Sequence, residues 1–170
     1  FPARFLLVAA MNPCPCGNLE SPLRECACTP LQIRAYRSRV SGPLLDRIDL
    51  QVEVPPVEFS DMIGRPDGEP SSAIRARVLA ARRIQARRFR GEGIRTNAEM
   101  GGGHLDRHAG LDDCCRALLE RAVRRLGLSA RGIDRVRKVA RTIADLRGGN
   151  GITPADLAEA IQYRSLERGT

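Results

Sequence analysis

Four of the six cysteines fall in two closely spaced pairs, Cys14-Pro15-Cys16 and Cys26-Ala27-Cys28, with nine residues between them. Four thiolates in one loop can close a tetrahedral Zn²⁺ site, with Zn–S distances of about 2.3 Å. Gly17, Asn18, Ser21 and Pro22 allow the intervening chain to fold back. A four-thiolate site leaves no open coordination position, so the role expected is structural. Free thiols or disulfides are the alternatives. Cys114 and Cys115 are neighbours on a predicted helix, point in different directions, and read as ordinary half-buried thiols. His104 and His108 stand four apart, as metal ligands on a helix can. Glycines flank them, however, and no carboxylate sits in a fitting motif. They are not read as a metal site.

Other chemistry is limited by what the chain lacks. It has a single lysine, Lys138, in Val136-Arg137-Lys138-Val139. A phosphate-cradling P-loop needs Gly-Lys-Ser/Thr, and none is present. The 28 basic residues against 20 acidic ones give a net charge of +8, which favours a polyanionic partner such as nucleic acid. Aromatic residues make up only 4% and tryptophan is absent, so a base-stacking platform is not expected and contacts would be to phosphates. The stretch from Ala73 to Arg90 carries Arg75, Arg77, Arg82, Arg83, Arg87, Arg88 and Arg90 with no acid. It can grip a phosphate backbone, form a solvated face or pack on an acidic neighbouring subunit.

Several elements must position these groups. Residues 4–10 form a continuous apolar run ending at Asn12-Pro13, the pattern of a strand buried on both faces of a parallel sheet. Thr29-Pro30 opens a helix to about Val40, which Ser41-Gly42-Pro43 breaks. Residues 48–54 alternate strictly, predicting a strand with one buried face, stopped by Pro55-Pro56. Residues 60–72 read as a linker. Beyond it, Ser71 or Ser72 caps a helix to about Phe89. Residues 91–110, rich in glycine, read as loop with one short helical turn at most. Three further helices follow: one from Asp112 ended by Gly127, one capped by Ser129 and closed by Gly148-Gly149, and one opened by Thr153-Pro154. No apolar run approaches the ~20 residues needed to span a bilayer, so no membrane association is expected. The sequence opens on Phe1 without signal-peptide features, and reads as part of a longer chain.

Two strands do not make a stable sheet, so the first part has the pattern of the tail of a larger α/β domain. The run Val8-Ala9-Ala10-Met11-Asn12-Pro13-Cys14-Pro15-Cys16-Gly17, with Ser41-Gly42-Pro43-Leu44-Leu45-Asp46-Arg47-Ile48-Asp49-Leu50, resembles the magnesium-chelatase-like AAA+ ATPases of the ComM/YifB type. Leu128-Ser129-Ala130-Arg131-Gly132 and Val139-Ala140-Arg141-Thr142-Ile143-Ala144-Asp145-Leu146 resemble that family's C-terminal domain. The resemblance implies an α/β fold class: the C-terminal end of an AAA+ nucleotide-binding domain at 1–59, a linker at 60–72 and an all-α helical lid at 73–170. It places the Walker A and Walker B segments upstream.

Function is implied on the same terms. Asn12 matches the sensor 1 position, where an amide can orient a water and contact a γ-phosphate oxygen. Arg47 matches an arginine finger acting across a subunit interface, with Arg37 and Arg39 as lesser candidates. A structural pair with Asp46 or Asp49 is the alternative for Arg47. Arg131 sits in the first turn of a helix, where a cation is slightly unfavourable. It matches the sensor 2 arginine of the lid, with Arg135 one turn on as the alternative. The implied cofactor is ATP with Mg²⁺, and Zn²⁺ is expected at Cys14, Cys16, Cys26 and Cys28. The implied protein is a cytoplasmic homo-oligomer, a hexameric ring, that remodels DNA in branch migration. A chelatase-type ATPase driving metal insertion and a non-catalytic module binding zinc and nucleic acid are the rival readings.

Overall fold

Short polar side chains set where the helices begin. A computed structural model describes residues 5–55, 57, 63 and 68–164, in two compact units, Phe1–Gly42 and Pro43–Gly169. In the first, Thr29 and Gln32 cap each other's backbone amides and Pro30 supplies the fixed first φ of helix α1, Pro30–Arg37. Ahead of it lies the cysteine loop.

A helical turn, α2 (Gly42–Leu45), starts on the last residue of the first unit, and the second unit holds five longer helices: α3 (Ser71–Arg88), α4 (Gly102–His108), α5 (Asp113–Leu126), α6 (Ala130–Arg147) and α7 (Pro154–Gln162). The side chains of Asp112, Ser129 and Thr153 accept the orphan amides of Cys115, Gly132 and Asp156. Gly127 and Gly148 end α5 and α6 with φ of 67° and 78°, a left-handed conformation that glycine adopts without strain. Pro70, rather than Ser71 or Ser72, occupies the cap of α3, with no side-chain bond.

α6 is the central element, packed against α3, α4, α7 and a 3₁₀ turn at Asn97–Glu99, while α5 packs on α7. The core joins Phe89, Met100, Leu105, Leu119, Val136 and Leu157, among others. Residues 91–110 hold more structure than their glycines suggest. The Gly101 amide donates to His104 Nδ1 (3.4 Å) at the start of α4, and Met100 and Leu105 are fully buried. Burial of those two side chains outweighs the entropic cost of Gly102 and Gly103 in a first turn.

Neither expected strand forms among the described residues. A strand is a pairing relation, and propensity alone does not create one when no partner segment lies alongside. Leu6 and Val8 are 89% and 84% exposed, where a two-face-buried strand was expected. In the second run the alternation is inverted: Gln51 is buried while Leu50, Val52 and Val54 face outward. The Gln51 amide donates to the Tyr163 carbonyl (2.9 Å), so this stretch docks on the end of α7 through its backbone. The expected linker at 60–72 lies mostly outside the described residues.

Candidate functional site

The cysteine loop draws its four thiols into one cluster. Gly17 N–H donates to the Cys14 carbonyl (3.0 Å), closing a turn that Gly17 completes with φ +80°. All four Sγ atoms lie within 4.8 Å of one another. Cys14–Cys16, Cys14–Cys26 and Cys16–Cys26 are separated by 3.4, 3.7 and 3.6 Å. Four sulfurs at the tetrahedral Zn–S distance are spaced by roughly 3.8 Å, so the cluster fits the ion. No disulfide joins these cysteines.

The thiols are electrostatically unequal. A bond from the Asn18 backbone, then those from Cys14 and Cys28, lower the Cys16 thiol to about 6. A bond from the Cys16 backbone favours the Cys28 thiolate. Desolvation and the nearby Cys16 and Cys14 sulfurs outweigh it and push Cys28 up to about 12. Cys16 therefore ionises more readily than Cys26 and Cys28, from which a cation must displace protons. Metal analysis of chain purified without chelators should find about one zinc per molecule, and C26S and C28S should each lose most of it. Wild-type chain devoid of metal would leave plain thiols as the answer. Cys115 differs: burial first, then Asp112, push its thiol up to about 12, and it packs inertly in the core.

Asn12 is exposed, two residues before Cys14, and not at the end of a buried strand. Its side chain lies beside Gly17, where a Cβ would stand 3.7 Å from the Asn12 Nδ2. Arg37 Nε donates to the Pro13 carbonyl (3.3 Å), tying α1 to the loop.

In the second unit, the segment around Arg47 is fastened to the start of α6. Ser129 Oγ donates to Asp46 Oδ2 (2.9 Å) while also capping α6. Arg135 Nε donates to the Asp46 carbonyl (2.8 Å), and its Nη1 pairs with Asp49. Arg164, buried, bonds the Ile48 carbonyl and lies 3.8 Å from Asp46 Oδ1. Thus Asp46 and Asp49 pair with Arg135 and Arg164, and Arg47 donates instead to the Pro43 carbonyl (2.6 Å) within its own turn. Arg47 and Arg131 are both exposed. Among the described residues no carboxylate engages either.

A second cluster has no forerunner in the sequence reading. Asp145, on α6 and 1% exposed, accepts from Arg88 Nη1 (2.8 Å), Asn97 Nδ2 (2.8 Å) and Arg141 Nη2 (2.8 Å). Arg141 also donates to the carbonyls of Gly149 (2.6 Å) and Asn150 (3.0 Å), beyond the end of its helix. The available signal was the position of Arg141 and Asp145, four apart beside the core-facing Ala140 and Ala144.

Comparison with known proteins decides the family. The pattern of "Magnesium chelatase, subunit ChlI C-terminal" matches residues 68–164, and that of "Magnesium chelatase, subunit ChlI" matches residues 1–62. The chain belongs to the magnesium chelatase ChlI family. Among its relatives, competence protein ComM of Haemophilus influenzae is 43% identical over 169 residues, covering 99% of this chain and 32% of ComM. The uncharacterized protein YifB of Escherichia coli is 40% identical over 171 residues, covering 99% of this chain and 32% of YifB. YifB of Salmonella typhimurium is 39% identical over 171 residues, with the same coverage. This ChlI-family chain thus spans about a third of the length of these relatives. The C-terminal match over residues 68–164 takes in the five longer helices of the second unit, α3 to α7. No helix among the described residues is long and apolar enough to cross a membrane.

Proposed function

We propose that this chain is the C-terminal portion of a cytoplasmic AAA+ ATPase that works on DNA. Residues 1–59 would end the α/β nucleotide-binding domain, residues 60–72 link, and residues 73–170 form the lid. The complete protein would hydrolyse ATP with Mg²⁺ at the subunit interfaces of a homo-hexameric ring. The observation that carries the reading is the allocation of arginines around Asp46. Arg135 and Arg164 hold the segment to the bundle, while Arg47 and Arg131 are left exposed with no carboxylate to neutralise them among the described residues. Exposed guanidinium groups on an anchored backbone suit the stabilisation of a transferring phosphoryl group. Arg47 would serve a neighbour's site, Arg131 its own, and Asn12 would orient the attacking water. The exposed faces of residues 5–11 and 50–54 would pair with strands supplied by the rest of the complete protein. Zinc on the four cysteines would hold the loop that follows Asn12, with no part in the chemistry. The work on DNA is suggested by the relative named as a competence protein.

ATP hydrolysis by the complete protein tests this directly. Duplex DNA should raise its rate several-fold, whereas the present chain, with no P-loop, should hydrolyse nothing. ATPase activity indifferent to DNA would favour the chelatase reading, and its absence from the complete protein would favour a binding module.

A further inference from the structure

We infer that the outward side of α3 is a sequence-independent contact for the phosphate backbone of duplex DNA. This deepens the proposed function, and rests on it only for the choice of DNA among polyanions.

Helix α3 carries six arginines and no acid in its 18 residues. The whole chain has a basic excess of 28 − 20 = 8, so this one helix carries a surplus equal to six of those eight charges. The arginines are sorted by face. At 100° per residue, Arg75, Arg82, Arg83 and Arg87 fall within an arc of about 140°, and Arg77 and Arg88 lie opposite. The opposite pair is neutralised: Arg77 meets Glu69 (2.5 Å) and Arg88 meets Asp145. The four on the arc are exposed, and no carboxylate pairs with any of them among the described residues. Among the described residues Arg82 reaches only the neutral Gln85 Oε1 (3.3 Å).

Elsewhere in the unit Arg107, Arg116, Arg124, Arg135, Arg137, Arg141 and Arg147 each meet an aspartate or glutamate, whereas Arg47, Arg121, Arg125 and Arg131 have no such pair among the described residues. What sets α3 apart is four such arginines on one face of a helix without an acid, where each of the other four longer helices carries at least one. A solvated arginine surface of ordinary kind is interspersed with acids. Arg75 to Arg87 spans about 18 Å of helix axis, over which a duplex presents about ten phosphate charges. Arg88, held by Asp145, fixes the C-terminal end of α3 to the bundle, so the row is presented on a rigid support. The arc holds no aromatic residue between Ser71 and Arg88, which removes base stacking and points to the duplex backbone over unpaired strands.

The test is binding of the 170-residue chain to a short random-sequence duplex, followed by fluorescence anisotropy over a salt series. Each phosphate contact contributes about 0.9 to the slope of log affinity against log salt. R75A/R83A/R87A should therefore reduce the slope by about 2.7 and weaken binding more than about tenfold at moderate salt. Alanine favours helix, so the variant should keep its helicity. R75K/R83K/R87K should retain the wild-type slope, since the contact is charge with phosphate. R121A/R125A, which removes two exposed arginines from α5, should bind as wild type. The inference is overturned if the chain does not bind duplex, if R121A/R125A weakens binding as much, or if a single strand of equal length binds more tightly. The two readings fail separately. A DNA-stimulated ATPase indifferent to the triple substitution would reject the face and keep the motor. Duplex binding that needs the face, in a complete protein without ATPase, would do the reverse.

Discussion

Arg47→Ala in the complete protein should lower ATP turnover on the order of a thousandfold, the loss expected when an arginine finger is removed. Nucleotide affinity should change little, because the ground state gains less than the transition state from that contact. Among the described residues the Arg47 side chain donates only to the carbonyl of Pro43, so truncating it removes no ion pair among them. Mixing supplies the decisive readout. Arg47→Ala subunits combined with subunits lacking only the P-loop lysine should regain part of the activity, since one intact composite site forms at their junction. If the mixture stays inactive while both variants assemble into rings, Arg47 is not a finger. Arg131→Ala should instead impair hydrolysis together with the coupling of nucleotide state to lid position, and mixing should not rescue it in the same pattern.

Asp145→Ala should destabilise the helical unit by about 3–5 kcal/mol, the cost of removing one partner from a buried ion pair. That is a large share of the whole stability of an ordinary domain. It strands Arg141, whose residue is 2% exposed, and releases Arg88 and Asn97 together. Burial by itself would raise the Asp145 carboxyl. The bonds from Arg88 and Asn97 and the charge of Arg141 prevail and hold it below the usual carboxylate range. Its contribution is therefore complete above about pH 4 and is lost as the pH falls below that. Urea unfolding across pH checks both points. Asp145→Asn should flatten the acid limb of the stability profile, and an Asp145→Ala midpoint equal to wild type would show the network to be idle.

The helices legible in the sequence were those whose ends carry their own chemistry. Ser129 caps as expected, the helices begin at Asp112 and Thr153 where expected, and Gly127 and Gly148 stop their helices, because these bonds are local and need no tertiary partner. Helix α4 was hidden because Gly102 and Gly103 read as loop, and the burial of Leu105 that decides the matter depends on distant residues. The apolar run at 5–11 failed for the opposite reason: its pattern is strand-like, but pairing needs a neighbour that no pattern supplies. The cysteine cluster was readable from spacing alone. The Asp46 fastening was not, since Asp46 lies 83 positions from Ser129 and 89 from Arg135. Spacing rules reach three or four residues along a helix, not across a fold.

That fastening has a mechanical consequence. Ser129 and Arg135 bind the 46–49 segment to the start of α6, and Arg164 binds it to the end of α7, so the segment would move with the first turns of α6. Arg47 is rooted in the segment and Arg131 in that helix. In a ring, one of these arginines would address a neighbour's nucleotide and the other its own. A single lever would then carry both, and any tilt that withdraws the one from its phosphate must displace the other in the same stroke.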